Sequence, residues 1–340
     1  MMKKKLYSLC MFLSILALIL AGCGSGKAEE GAEGTGSKVS GIVPMYTPGA
    51  GGPNYIISAG IGQIFKNSNV MPGVVLTTEA MSGVVEGTNL LIDRYNQGKP
   101  AFAAFTGEAL AQAVQGELEQ IPGEHPELKA VGWINSTVNH VVVAKDSPIK
   151  SMADLKGKRI GALPPGATAT NLFNVVLEEG YGVKSSDYKH IPIGYAEIIE
   201  GIQNGSIDAG VLPGSLPNPN VTELAQLYPI RILEVEEDIL KKMVEKHPYF
   251  SYVNVESGMY PGQDEDTLMA AFESVIYTHE KTDEELVYNV VKTIMENGEE
   301  LRKVHPSANI SKETILNGIK TPFHSGAEKY FQEVGIEVNQ

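Results

Sequence analysis

Three short glycine-bearing loops each lie between an apolar run and a helix-like run, an arrangement that turns backbone amides toward an anion. They are Thr47-Pro48-Gly49-Ala50-Gly51-Gly52-Pro53, Met81-Ser82-Gly83 and Pro164-Pro165-Gly166-Ala167-Thr168. A helix start leaves its first amides unpaired and carries about half a unit of positive charge, so a negative group is stabilised there. The donors on offer belong to Thr47, Gly51, Gly52, Ser82, Gly83, Thr168 and Thr170, and no loop holds an arginine or lysine. One glycine cluster only shows that the chain turns; three of the same kind favour a common ligand. In open α/β sheets such loops lie at the carboxyl ends of the strands, where ligands sit. Gly49, Tyr55, Met81 and Thr106 adjoin these segments and are candidate contacts, as are Pro213, Gly214 and Ser215 further along.

The residues for turnover are missing. Seven histidines, at 125, 140, 190, 247, 279, 305 and 324, form no spaced metal pair, and three of them precede a proline. There is no Gly-x-Ser-x-Gly elbow, zinc helix or dinucleotide fingerprint. Gly24-Ser25-Gly26-Lys27 lacks the first glycine and the hydroxyl residue of a phosphate loop. No catalytic residue, metal or cofactor is expected. Trp133 fits either a ligand stack or a core. The 340 residues carry a net charge of −14, from 27 Lys and Arg against 41 Asp and Glu, which disfavours nucleic acid. Two cysteines make neither a zinc site nor a disulfide framework.

The elements that position the loops read as two α/β lobes. After Ser40, short apolar runs alternate with helical patterns and predict a mainly parallel sheet. Strands are expected at 41–45, 74–78, 101–105, 131–134 and 140–145, with helices at 54–65, 84–96 and 107–115. A second unit repeats this grammar: a capping box at Ser151–Asp154, a strand at 159–163, a helix at 169–179, then apolar runs at 188–193, 209–212 and 230–235. Residues 252–255 lead back out, and the chain from about 267 reads as mostly helical. Lobe I is therefore assigned to 41–142 with 255–340 and lobe II to 143–254, joined by more than one crossing that makes a hinge.

Lys3, Lys4 and Lys5 precede an apolar run that ends in Leu20-Ala21-Gly22-Cys23, which reads as a signal peptide over 1–22. The ending resembles a bacterial lipobox, which implies acylation of Cys23, a lipid anchor (palmitate) and an extracytoplasmic location at the membrane. Residues 23–40 form a polar, glycine-rich tether.

Larger segments carry a family likeness: Thr47 to Tyr55, His140-Val141-Val142-Val143-Ala144-Lys145-Asp146-Ser147, Asp154-Leu155-Lys156-Gly157-Lys158-Arg159, Leu216-Pro217-Asn218-Pro219, Tyr260-Pro261-Gly262-Gln263-Asp264-Glu265-Asp266 and Phe323-His324-Ser325-Gly326-Ala327. From about Gly41 to Tyr330 the chain resembles the TAXI class of receptors that serve tripartite ATP-independent periplasmic (TRAP) transporters. The resemblance implies an α/β, type II periplasmic-binding-protein-like fold of two lobes with a ligand cleft between them, capture there of a small organic anion, commonly a carboxylate such as glutamate, and delivery to a membrane permease. The chain departs from the family at Gly49-Ala50, at Phe105-Thr106-Gly107 and at Ala167, where polar residues are frequent. Either the ligand is less polar than glutamate, with Phe105 as an apolar wall, or these positions face the core or are compensated by Asn135, Thr137 or Asn139. A receptor for an ABC importer or sensor kinase, an enzyme on the same frame and an adhesive surface lipoprotein remain the alternatives.

Overall fold

The computed structural model describes residues 39–118 and 120–338. The signal peptide, Cys23 and the tether as far as residue 38 lie outside the described residues. The first part of the chain alternates as the sequence predicts: β1 (Gly41–Thr47), α1 (Pro53–Ser68), β2 (Val74–Ala80), α2 (Val84–Gln97), β3 (Phe102–Thr106) and α3 (Gly107–Gln115). A long strand β4 (Leu128–Ala144) follows, then β5 (Arg159–Ala162), α4 (Thr168–Val175), β6 (Lys189–Pro192), α5 (Tyr195–Asn204), β7 (Ala209–Gly214), α6 (Pro219–Leu227), β8 (Ile230–Ile232), α7 (Glu237–Lys246) and β9 (Phe250–Val255). The chain ends with a second long strand β10 (Thr267–His279) and helices α8 (Glu284–Glu296), α9 (Gly298–Val304) and α10 (Ser325–Val334). The capping box is present, with Ser151 and Asp154 closing a single 3-10 turn.

All ten strands join one sheet in the order β2-β1-β3-β10-β4-β7-β5-β6, with β8 added to β4 and β9 to β10. Its pairs β2-β1, β1-β3, β7-β5 and β5-β6 are parallel, but β10 runs antiparallel to β3, β4 and β9, and β4 antiparallel to β7 and β8, so the sheet is mixed and not mainly parallel as the alternation predicts. Two further expectations are corrected here. The chain from 267 is not mostly helical at first, because Thr267–His279 is a strand buried over nearly its whole length. Its Leu, Met, Ala and Glu are good helix formers, and a strand covered on both faces loses the alternation that would reveal it. The runs at 131–134 and 140–145 are not two strands either, since β4 spans both. In the stretch Asn135-Ser136-Thr137-Val138-Asn139 between them, Asn135, Ser136 and Asn139 hydrogen-bond to other parts of the protein, which explains its polar composition within a buried strand.

β4 and β10 carry the sheet from one hydrophobic assembly to the next. One core draws on residues 43–134 and 275–331, including Phe65, Phe102, Ile134, Val275 and Phe331. The other two draw on residues 138–272, including Val143, Phe173, Leu212, Leu240 and Phe272. The passage between them falls where the β4–β10 register shifts, at Ser274/Val275 and again at Ile276/Tyr277. Extra residues at such irregularities bend and twist a strand pair, so the sheet changes direction between its two halves.

A buried polar network anchors the second half. His140 on β4 is fully buried, and its Nδ1 lies 3.1 Å from the carbonyls of Val138 and Leu212. Its Nε2 lies 2.8 Å from the hydroxyl of Tyr260, which in turn accepts the Asn218 backbone N–H at 2.8 Å. With Nδ1–H donating to the carbonyls, Nε2 is the acceptor and the tyrosine hydroxyl donates to it. Burial pushes the imidazole pKa down to about 4, against a smaller opposing effect of the two carbonyls, so the ring is neutral. An unfolded chain binds that proton at a higher pH, near 6.5, so stability falls as pH drops from about 6.5 toward 4, by on the order of 3 kcal/mol in full. Urea midpoints measured across this range should show a shallower acid decline for His140→Gln than for the wild type.

Candidate functional site

The loops identified from the sequence meet at one cavity of about 720 Å3, lined from both halves of the sheet. Its floor is made by the paired central strands. Thr137 on β4 lies directly opposite Phe272 on β10, and Asn135 opposite Ser274. Side chains of directly paired residues share a face and alternate faces along a strand. Thr137, Phe272 and Ser274 accordingly line the cavity, while Ser136 and Glu273 point to the other side. There the Glu273 carboxylate, almost fully buried, accepts from Ser136 Oγ at 2.6 Å and from the Trp133 indole and the Ser251 hydroxyl. Trp133 is thus a core residue that neutralises a buried acceptor, and it does not reach the ligand space.

Asn135 and Asn139 sit on the same face as Thr137, one on each side of it. Asn135 Nδ2 donates to Asn54 Oδ1 at 2.8 Å, and Asn54 Nδ2 donates onward to the Ala104 carbonyl at 3.0 Å. Asn139 Nδ2 donates to the Ala169 carbonyl at 2.7 Å. The Asn-x-Thr-x-Asn spacing therefore fixes the start of α1 with one amide and the start of α4 with the other, and leaves Thr137 facing the space between them.

Three helices begin at the cavity wall without a side-chain cap. The N-caps of α1, α2 and α4 are Gly52, Gly83 and Ala167, and none supplies a side-chain acceptor. Ser, Thr, Asp or Asn is the usual residue there, because its side chain pairs a first-turn amide. Without one, those amides keep their donors for whatever enters the cavity, and three helix dipoles point their positive ends at it. Among the residues lining the cavity there is no lysine or arginine, and Glu86 is the one ionisable carboxylate. The starting helix α3 differs, since Thr106 Oγ1 accepts the Ala109 N–H. Across the cavity the hydroxyls of Thr106 and Thr168 stand 3.5 Å apart.

Of the residues singled out from the sequence, Gly52, Tyr55, Ser82, Gly83, Phe105, Thr106, Thr137, Ala167, Thr168, Pro213 and Gly214 line this cavity. The others stand elsewhere. Thr47 is fully buried at the end of β1, donating to the Pro48 carbonyl at 3.0 Å. Thr170 is buried and donates to the Leu163 carbonyl at 2.8 Å. Asn135 is the bracing residue described above. Met81 packs against the first core. Gly49 and Gly51 form the exposed tip of their loop, and the Gly49 carbonyl accepts from Gly52 at 3.4 Å. Ser215 donates to the Pro217 carbonyl. The walls also include Asn54, Val84, Val85, Leu163, Tyr195, Phe272 and Ser274, which sequence reasoning did not select. Phe272 and Ser274 were hidden by the helical reading of β10, and Val84 and Val85 by their resemblance to ordinary first-turn residues. Among the described residues no group of three or more His, Cys, Asp or Glu could hold a metal ion.

This arrangement, a mixed α/β sheet with a cleft between two halves, is the periplasmic-binding-protein-like fold of type II. The chain belongs to the NMT1-like family, whose model matches residues 45–335. Among solved structures, a TctC solute binding protein from Polaromonas superposes with a TM-score of 0.53 at 16% identity, over 79% of this chain and 89% of that one. A periplasmic sulfonate-binding protein of a sulfonate ABC transporter from Methylobacillus flagellatus gives 0.51 at 14% identity, over 88% and 96%. Among curated sequences, a Haemophilus influenzae protein named for thiamine biosynthesis is 30% identical over 148 residues, 42% of this chain and 46% of its own length. The 4,5-dihydroxyphthalate decarboxylase of Comamonas testosteroni is 47% identical over 57 residues, 17% of each chain. The match spans less than half the length of either curated relative.

Phe105 owes its place to a neighbour. A Cβ built on Gly87 of α2 would lie 2.4 Å from the Phe105 ring. Gly87→Ala should therefore displace the ring within the cavity. Calorimetric titration with any bound ligand is expected to show a changed affinity, while circular dichroism reports an intact fold.

Proposed function

We propose that this protein is an extracytoplasmic receptor, held to the membrane by acylated Cys23, that captures a small organic anion in the cleft and delivers it to a TRAP-type permease. The observation that carries the reading is the convergence of three uncapped helix starts on one cavity without a lysine or arginine in its walls. Such a site holds an anion with main-chain donors and dipoles, and closure of the two lobes, 41–142 with 255–340 on one side and 143–254 on the other, excludes water and strengthens each contact. The lipobox-like ending and the TAXI-like segments support the tether and the permease. The NMT1-like family and the fold relatives named as solute-binding proteins support capture in place of turnover.

A second reading keeps the capture and replaces the permease by an ABC importer. It is favoured by the sulfonate-binding relative, which is named as part of such a system. A neighbouring gene for a multi-span permease without an ATPase supports the TRAP partner, and a neighbouring ATPase gene supports the importer.

Capture is tested by thermal melting across a panel of organic acids. A ligand at a hundred times its Kd adds about 2.7 kcal/mol and raises the melting temperature by roughly 4 °C. Thr168→Val, which removes a hydroxyl at the α4 start, should reduce that shift. A flat response to every acid, together with nothing recovered by native mass spectrometry of the purified protein, would overturn the reading.

A further inference from the structure

The walls of the cleft have a charge and a polarity that narrow the ligand beyond "organic anion". At its helix starts the cavity offers amides and the hydroxyl of Thr168. Tyr55, Thr106, Thr137 and Ser274 add a few polar atoms, and the larger share of the wall is carbon: Val84, Val85, Phe105, Leu163 and Phe272 line it, with the Tyr195 ring beside them. Its volume of about 720 Å3 falls in the range of about 300–1,000 Å3 that receives drug-sized ligands. A carboxylate buried against such walls without a cation or a full set of donors is strongly disfavoured.

The charge that is present has the wrong sign for a second anionic group. Glu86, in the first turn of α2, lines the cavity, and its Oε2 accepts both the backbone N–H and the hydroxyl of Ser82 at 2.7 Å. These two bonds hold its pKa below the usual carboxylate value. They also correct the sequence reading of Ser82, whose two donors serve a residue of the protein and not a ligand. A second carboxyl, Glu108 in the first turn of α3, is buried, accepts from Gln112 Nε2 at 3.3 Å, and has its pKa pushed up by burial, which favours its uncharged form. An anion placed at the helix starts therefore has Glu86 as the acidic neighbour in the lining and no basic side chain there.

We propose that the cleft selects a bulky, largely apolar monoanion, of the aryl- or branched-alkyl-carboxylate class, and that Glu86 is the residue that rejects a second negative charge. The inference rests on the reading of the cleft as an anion-capture site. One carboxylate is held by the amides at the starts of α1, α2 and α4, and the apolar body fills the space bounded by Val84, Val85, Phe105 and Phe272. A dicarboxylate must bring its second charge either against carbon or toward Glu86, and either placement weakens it.

The test is calorimetric titration of the processed protein with phenylpropionate, para-carboxyphenylpropionate and glutarate. The first two share a body and differ by one charge. Phenylpropionate is expected to bind at least roughly tenfold more tightly than its dicarboxylate counterpart, the size of a like-charge repulsion at short range near a protein surface. Glu86→Gln keeps an acceptor for Ser82 and removes the charge, so it should narrow that ratio at least roughly fivefold. A melting curve on the variant checks that α2 remains folded. Tighter binding of glutarate or of the dicarboxylate by the wild type would overturn the monoanion assignment and leave anion capture standing. An unchanged ratio in folded Glu86→Gln would overturn the role of Glu86. Binding of none of the three would remove the capture reading itself.

Discussion

An amide at the first turn of a helix has no partner within its own helix, and the use of this protein depends on where those amides are left. At Thr106 and Asn218 side chains cap the helix that follows. At Gly52, Gly83 and Ala167 nothing does, and these three N-caps line the cavity. Alanine is a poor cap and costs its helix stability, while glycine is tolerated at an N-cap, and neither brings a side-chain acceptor for the first amides. The deficit becomes binding capacity once the three starts are brought to one point.

Bringing them there is the task of the sheet. β4 and β10 run side by side through both halves of the molecule, and their facing residues build the floor between the loops. The amides of Asn135 and Asn139 tie the helix starts to that floor at fixed distances. The opposite face of the same stretch contains the bonds from Ser136 and Trp133 to Glu273, so both faces of the crossing carry side-chain hydrogen bonds, while the side-chain oxygens of Asn135 and Asn139 are buried without a partner. The His140–Tyr260–Asn218 network does similar work below Pro213 and Gly214, where a Cβ on Gly214 would lie 2.4 Å from Asn218. These networks hold the walls rigid, and a rigid wall loses less entropy when a ligand orders it.

The absence of lysine and arginine from the walls gives the cleft a field made of dipoles instead of charges. Dipoles aligned on one point hold a single charge well and offer little to a second charge some distance away. Glu86 sharpens that preference because its carboxylate already occupies the donors of Ser82. Phe105 and Ala167 both line the cavity and present carbon to it.

What the sequence alone determined is the local part: the glycine-rich loops, the helices that follow them, the signal and lipobox pattern, and the division into short α/β units. These follow from residue spacing, capping chemistry and turn preference, all of which act within a few residues. Tertiary structure decided the rest. Thr267–His279 is helix-prone by composition and became a strand because it lies between β3 and β4, where its backbone groups pair on both sides. Thr47, Asn135 and Thr170 look like ligand donors by type, but their hydrogen bonds go to protein acceptors, the carbonyls of Pro48 and Leu163 and the remote side chain of Asn54. Phe272, Ser274 and Glu86 enter the site through strand pairing and a turn geometry that place them beside residues remote in sequence. A local pattern can announce which groups are able to bind, but only the folded chain decides which of them remain free to do so.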